Sequence, residues 1–257
     1  MQCLILAGGL GTRMYPVTEK VPKSLLPVLG RPFLGYQLDL LAAEGIRKVV
    51  LSIGHLGWQI RDFAGDGSQW GLEIQYCDEA STPFGTGGAV RLAYDRGLLE
   101  PSFFVVYGDS YTAVPFRAIV RGADLRSAAD HQVGLPLSEA VRATMVIISN
   151  ADRWDRSNVL FEDGRLVVYD KTRSHPRASE MRYIDYGVSL LTEEAVRRLP
   201  EGPGDLSNLY HQLSVEGLLA GFEVHNRFYE IGSPKGLDEF AGHLLERQVI
   251  ETEGVTR

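Results

Sequence analysis

Cysteine is nearly missing from this chain of 257 residues. Its two thiols, Cys3 and Cys77, fall in or beside expected strands without metal-ligand spacing. That pattern reads as buried thiols in a reducing compartment and argues against a catalytic cysteine. The six histidines are scattered with no HxxxH and no mixed Cys/His cluster, so a zinc site has no support. No apolar run approaches the length of a membrane span, and Met1 leads into an apolar strand with no charged n-region or cleavage site. The expectation is a cytoplasmic protein with no membrane association. Linkers rich in Pro, Gly or Ser, internal repeats and low-complexity tracts are absent too, and only the final ETEGVTR reads as irregular. Excess positive charge is lacking as well: the net charge is −7, which argues against nucleic acid as a partner, because phosphate backbones demand broad basic patches.

What positive charge there is gathers at one place. From Met1 to Arg31 the chain carries Arg13, Lys20, Lys23 and Arg31 against the single acid Glu19. Within that segment Leu6 to Pro27 reads LAGGLGTRMYPVTEKVPKSLLP, an apolar strand running into a glycine-rich turn that is followed by an arginine and a lysine. Gly8, Gly9 and Gly11 permit positive φ and bring backbone N–H groups close to an anion. Arg13 offers a planar fork for phosphate oxygens and Lys23 a compact point charge. No GK[ST] closes the loop, and Met14 stands where the dinucleotide fingerprint needs its third glycine. A glycine turn after a strand is most often only a turn. This one is longer than a turn requires and carries two cations, which suits a small polyphosphate better than a long polyanion.

The first half alternates strands and helices and predicts βαβ units on a doubly wound, mostly parallel, Rossmann-like α/β sheet with helices on both faces. Strands are expected at Gln2–Ala7, Lys48–Ile53, Leu72–Tyr76 and Phe103–Tyr107, and helices at Phe33–Glu44, Trp58–Ala64 and Gly87–Arg96. The second half is β-rich, with strands at Thr144–Asn150, Val159–Phe161, Arg165–Tyr169 and Ile184–Leu191 and a turn at Glu162–Gly164. Helices at Thr192–Arg198 and Asn208–Leu219, a strand at Glu223–Arg227 and a last helix from Pro234 to about Ile250 follow. One domain over 1–257 is expected, divided into a first half (1–134), a β-rich second half (135–233) and a C-terminal helix (234–257). In doubly wound sheets ligands sit beyond the carboxyl ends of the strands, which is where the glycine loop, Gly85 to Gly88 and Gly108-Asp109 fall. Asp109, after an apolar strand and a glycine, is placed to hold Mg2+ on a triphosphate.

GGLGTRMYP followed by VPKSLLPVLGRPFLGYQLDLL resembles the signature of the sugar nucleotidyltransferases. Further similar motifs follow in the family's order: PFGTGGAV at Pro83, VVYGDSY at Val105, YDKTR at Tyr169, DYGVSLL at Asp185 and YEIGSP at Tyr229. The resemblance implies an enzyme that joins a sugar 1-phosphate to a nucleoside triphosphate and releases pyrophosphate. Within the family the chain is most similar to heptose and mannose 1-phosphate guanylyltransferases. Uridylyl-, thymidylyl- or cytidylyl transfer to another sugar, or a catalytically weak nucleotide-sugar-binding subunit, are the alternatives. A homo-oligomer is compatible with the family.

The resemblance also implies roles, with 1–134 as the nucleotide-binding half and 135–233 as the sugar-phosphate-binding half. Arg13, Lys23 and Asp109 would be catalytic. Leu6, Gly8, Gly9, Gly11 and Thr12 would meet the nucleotide, together with Glu79, Gly85, Thr86 and Gly88 near the base. Lys171 would meet the sugar phosphate, with Arg173 a further candidate, and Tyr186 and Gly187 would border the sugar. Asp109 and Glu230 would hold Mg2+. Two motifs depart from the family pattern: Glu230 stands where an aspartate is usual, and Asp170 and Thr172 flank Lys171 in place of the residues of an EKP triplet. Each departure favours the weak-subunit alternative, whereas retained Arg13, Lys23 and Asp109 favour the enzyme.

Overall fold

The first strand, β1 (Gln2–Leu6), turns Cys3 and Ile5 into one apolar core and Leu4 into another. Such alternation is what a strand covered on both faces requires. The computed structural model describes residues 1–79, 83–123 and 141–254, with the side chains of 248–254 left aside. The expected division between residues 134 and 135 lies outside the described residues.

After β1 come two short paired strands, β2 (Pro27–Val28) and β3 (Arg31–Pro32), and then α1 (Phe33–Ala43), β4 (Lys48–Ile53), α2 (Gly57–Ala64) and β5 (Glu73–Asp78). Next are α3 (Gly85–Asp95), β6 (Ser102–Tyr107), β7 (Ser110–Tyr111) and a helix α4 over 116–123. The parallel core has the order β5, β4, β1, β6. Chain order therefore reverses between β1 and β6, the switch point at which the loops after neighbouring strands turn apart and open a crevice. α1, α2 and α4 cover one face with Leu34, Leu38, Ile60 and Phe116, and α3 covers the other with Val90 and Ala93.

The second half extends the sheet with strands of mixed direction. It comprises β8 (Ala143–Ser149), β9 (Val159–Glu162), β10 (Arg165–Tyr169), β11 (Tyr183–Thr192), α5 (Glu193–Val196), α6 (Leu206–Val215), β12 (Leu219–Val224), β13 (Tyr229–Glu230) and α7 (Pro234–Gly254). β11 runs antiparallel to β6, β8 and β9, and β12 runs parallel to β8, giving a sheet of 9 strands among the described residues. A bulge between Asp185 and Ser189 lets β11 serve β8 along both its halves. α5 and α6 join α3 on one face. No helix among the described residues is long and apolar enough to cross a membrane, and Cys3 and Cys77 are both free and buried.

Three expectations require correction. The helix expected to reach Leu219 stops at Val215, because the Gly217 N–H caps Ser214 and the Leu218 N–H reaches back to Leu213 at 2.8 Å. Leu219 therefore opens β12, which ends at Val224 instead of beginning at Glu223. The last helix continues through Gly254, so the tail read as irregular is helical as far as that residue, and 255–257 lie outside the described residues. The two-residue strands β7 and β13, which pair Ser110 with Glu230 and Tyr111 with Tyr229, were not anticipated at all.

That small ladder rests on a third core. Phe240 of α7 is fully buried, with its ring centroid 5.2 Å from that of Phe33, 5.7 Å from Tyr36 and 4.8 Å from Tyr111. Tyr229 stacks on His243 at 4.4 Å. Phe240→Ala should lower the unfolding free energy by about 3–5 kcal/mol. Urea unfolding followed by circular dichroism checks this, and a loss below about 1 kcal/mol would show that α7 is dispensable to the packing.

Candidate active site

The crevice between β1 and β6 holds a cavity of about 350 Å3. Leu6, Gly8, Gly9, Gly11 and Thr12 line it from the β1 side, and Arg13 and Lys23 from the turns that follow. Of the three loop glycines only Gly11 adopts positive φ, at 64°, and the Thr18 hydroxyl donates to its carbonyl at 2.9 Å. Gly8 is required for a different reason: a β-carbon there would lie 2.3 Å from Glu79 Oε1. Glu79 thus lies against the glycine turn. It accepts from the Ser52 hydroxyl at 2.8 Å and from the Phe84 N–H at 3.4 Å. Burial pushes its carboxyl up, and those two donors counter the shift. Gly85 and Thr86 line the same cavity from the first turn of α3. Gly88 does not; it is a packing residue, since a β-carbon on it would meet the Gly202 carbonyl at 2.5 Å.

On the β6 side Asp109 forms an ion pair with Lys23, and a methyl group at Gly232 would lie 3.2 Å from Lys23 Nζ and 3.9 Å from Arg13 Nη2. Both cations therefore converge on one stretch of backbone. The Ile231 N–H donates to the Asp109 carbonyl at 2.9 Å, in line with the β7–β13 ladder, which brings Glu230 beside Asp109. Enclosure by protein and the Asp109 charge push the Glu230 carboxyl up to about 7, against Lys23 and Arg13, although Glu230 is exposed and solvent screens part of that shift. Two neighbouring carboxylates with no third ligand fit Mg2+ better than a closed protein cage, because Mg2+ takes one or two carboxylates and completes its shell with water and substrate phosphates. Among the described residues no cluster of three or more metal-ligating side chains occurs.

A second cavity, of about 510 Å3, adjoins the first, and Arg13, Thr86, Tyr107 and Asp109 line both. Lys171 and Gly187 line the second, as does Glu230. Tyr186 does not: it is 1% exposed, its ring packs on Phe228 at 5.3 Å, and its hydroxyl has no partner among the described residues. Residues 185 and 187 share one face of β11 and 186 takes the other, so the cavity receives Asp185 instead. Asp185 accepts from the Gly187 N–H at 2.8 Å, and its own N–H donates to Asn158 Oδ1 at 3.1 Å. Burial pushes the Asp185 carboxyl up to about 6. Strand alternation within DYG carried this information, whereas nothing in the sequence marked Asn158.

Asp170 and Arg173, next to Lys171, are occupied elsewhere. Asp170 accepts from the Thr172 N–H at 2.9 Å and hydroxyl at 2.6 Å, the His175 N–H at 2.7 Å and the Ser174 hydroxyl at 3.2 Å. It is a loop staple. Arg173 donates to Asp152 at 3.0 Å, to the Ser157 carbonyl at 2.8 Å and to the Ala178 carbonyl at 2.9 Å, which takes it out of the cavity lining. Of this motif Tyr169 and Lys171 line the second cavity, and Lys171 pairs with Asp205 at 3.1 Å.

The chemistry available is that of charge placement: cations over a glycine turn, two carboxylates opposite, and a lysine across the second cavity. A family model described as nucleotidyl transferase matches residues 2–142. The chain is 32% identical over 209 residues to a glucose-1-phosphate thymidylyltransferase of Streptomyces antibioticus, a match covering 80% of this chain and 54% of that protein. The chain thus spans about half the length of this relative. It is 25% identical over 262 residues to the mannose-1-phosphate guanylyltransferase catalytic subunit beta of Danio rerio, covering 100% of this chain and 68% of that one. In fold it is similar to the crystal structure of HddC from Yersinia pseudotuberculosis complexed with GMP-PN, with a TM-score of 0.71, 21% identity, and 95% and 99% of the two chains covered.

The Asp170 staple has a pH signature. Burial opposes its charge, but the donors from Thr172, His175 and Ser174 win and pull its carboxyl down to about 2. Because the folded value lies below the unfolded one, its stabilisation is complete above about pH 4 and is lost as pH falls through about 2. Asp170→Asn should therefore lower the unfolding free energy by about 1–3 kcal/mol at neutral pH, a gap that narrows between pH 4 and pH 2. Denaturant unfolding of both proteins across that range checks it; a constant gap would contradict the assignment.

Proposed function

Because the chain belongs to the nucleotidyl transferase family, we propose that it joins a sugar 1-phosphate to a nucleoside triphosphate, giving a nucleoside diphosphate sugar and pyrophosphate. The observation that carries this reading is the convergence of Arg13, Lys23 and Asp109 where the two cavities meet. The first cavity takes the nucleotide and the second the sugar phosphate, and Arg13, Thr86, Tyr107 and Asp109 border both.

The reaction is attack by a phosphate oxygen of the sugar 1-phosphate on the α-phosphorus, with pyrophosphate leaving in line. The attacking oxygen is already anionic near neutral pH, so no enzymic base is required. What the protein contributes is alignment of two polyanions and neutralisation of charge. The N–H groups of the glycine turn and Arg13 hold the β- and γ-phosphates, Lys23 the α-phosphate, and Lys171 the sugar phosphate. Each fixed donor of this kind is worth about 3 kcal/mol in the transition state. Asp109 and Glu230 would hold Mg2+, which supplies charge neutralisation on the phosphates when bound. Lys23, which pairs with Asp109, lines the same cavity and would be available to the α-phosphate.

Glu79 supports a guanine nucleotide. An ionised carboxylate is acceptor-only and matches the adjacent N1–H and N2–H groups of guanine. Uracil and thymine present one N–H between two carbonyls, which the carboxylate repels. With guanine, heptose or mannose 1-phosphate is the proposed partner.

Pyrophosphate release measured with four nucleoside triphosphates against a panel of sugar 1-phosphates tests the reading. Mg2+-dependent turnover with preference for GTP is expected; no turnover with any pair would refute it. Arg13→Ala should lower kcat by at least about a hundredfold with the fold intact. Lys171→Ala should raise KM for the sugar phosphate and leave KM for the nucleotide nearly unchanged; the reverse pattern would assign Lys171 to the nucleotide.

A further inference from the structure

Asp205 belongs to none of the motifs that mark the site, yet its carboxylate touches both Thr86 and Lys171, which line it, and caps α6 as well. Oδ1 caps α6 by accepting from the Ser207 N–H at 2.8 Å, and it also accepts from the Thr86 hydroxyl at 3.3 Å. Oδ2 accepts from Lys171 Nζ at 3.1 Å. Thr86 lines both cavities, and its hydroxyl oxygen in turn accepts from the Leu206 N–H at 2.8 Å. The backbone beside Asp205 is clasped to the same turn of α3: the Gly204 carbonyl accepts from the Gly87 N–H at 2.8 Å and the Gly88 N–H at 3.2 Å, and the Gly204 N–H donates to the Phe84 carbonyl at 2.9 Å. The first turn of α3, which borders the nucleotide cavity, is therefore bolted to the residue that holds the sugar-phosphate lysine.

Capping alone does not explain an aspartate, since asparagine caps a helix as well. What asparagine lacks is the charge. Burial opposes ionisation of Asp205, but the Ser207 N–H and hydroxyl and then Lys171 hold its carboxyl below the ordinary range, so it is anionic at neutral pH. Lys171 has no other side-chain hydrogen bond or ion pair among the described residues, although its charge also acts on Asp185, and its side chain is 59% exposed. The loop on either side of it is pinned by Asp170, so the freedom left to Lys171 is that of its long side chain. An exposed ion pair contributes little to stability but narrows where the ammonium sits.

The geometry points to Asp205 as a positioning residue that, through Lys171, sets the sugar 1-phosphate against the nucleotide held at the α3 turn. This rests on the function proposed above. With one N–H of the ammonium fixed on Oδ2, the remaining two face phosphate oxygens, and the α3 turn keeps that lysine in register with the nucleotide cavity.

The test is a double-mutant cycle of Asp205→Asn and Lys171→Ala, read by steady-state pyrophosphate release and by calorimetric binding of the best sugar 1-phosphate of the wild-type panel. Asp205→Asn should keep the melting temperature within about 2 °C, because the cap survives. It should lower kcat/KM for the sugar 1-phosphate about tenfold and leave KM for the nucleotide within about twofold. In the Lys171→Ala background the same change should alter turnover or binding by less than about twofold. Equal losses in both backgrounds, a loss confined to the nucleotide, or wild-type kinetics in Asp205→Asn would each overturn the positioning role while leaving the proposed function intact. An inactive wild-type protein across the whole panel would overturn both.

Discussion

The loops after β1 and β6 turn apart at the switch point of the sheet, and the Lys23–Asp109 ion pair is what joins them across the gap. Lys23 comes from the turns that follow the glycine loop and Asp109 from the end of β6, so neither element alone forms the site. The pair is only partly exposed, with side chains at 13% and 28%, and both charges remain reachable from the cavity. An ion pair of this kind need not stabilise the fold; under the proposed function it would hold a cation and an anion ready for partners that take them in opposite directions, phosphate for the lysine and a divalent cation for the carboxylate. Arg13 and Glu230 stand on either side of it and extend the same division of charge.

Positioning Glu230 falls to a part of the chain far from the glycine loop. The β7–β13 ladder sets it beside Asp109, and the ladder is backed by the aromatic box of Phe33, Tyr36, Tyr111 and Phe240. The last helix thus fixes one of two carboxylates without supplying a ligand itself. The register of that ladder is set by only two residue pairs.

How much of this was legible in the sequence depended on how local the signal was. The limits of β4 and β10 were readable as continuous or alternating apolar runs between turn residues, and the glycine loop with its cations could be placed from chain order alone. β7 and β13 could not, because two-residue strands carry no periodicity and their pairing spans more than a hundred residues. The resemblance points to Tyr186 and Gly187 together, but neighbours on a strand face opposite sides, so Gly187 shares the cavity with Asp185 and Tyr186 does not. Gly88 and Asp170 sit inside motif positions yet serve packing and loop closure, which only the neighbours at Gly202 and at Thr172 to His175 reveal. Asp205 was invisible for the converse reason: its sequence context is that of an ordinary helix cap, and its second oxygen matters only once Lys171 is brought to it.

The central claim is that a nucleoside triphosphate lies across the turn from Gly8 to Arg13 with a divalent cation on Asp109. A crystal structure with a non-hydrolysable GTP analogue and Mg2+ tests it most directly. The account predicts the triphosphate on the N–H groups of that turn, Lys23 released from Asp109 to phosphate, and the metal on Asp109 and Glu230. A nucleotide bound elsewhere, or bound with the Lys23–Asp109 pair intact, would contradict it.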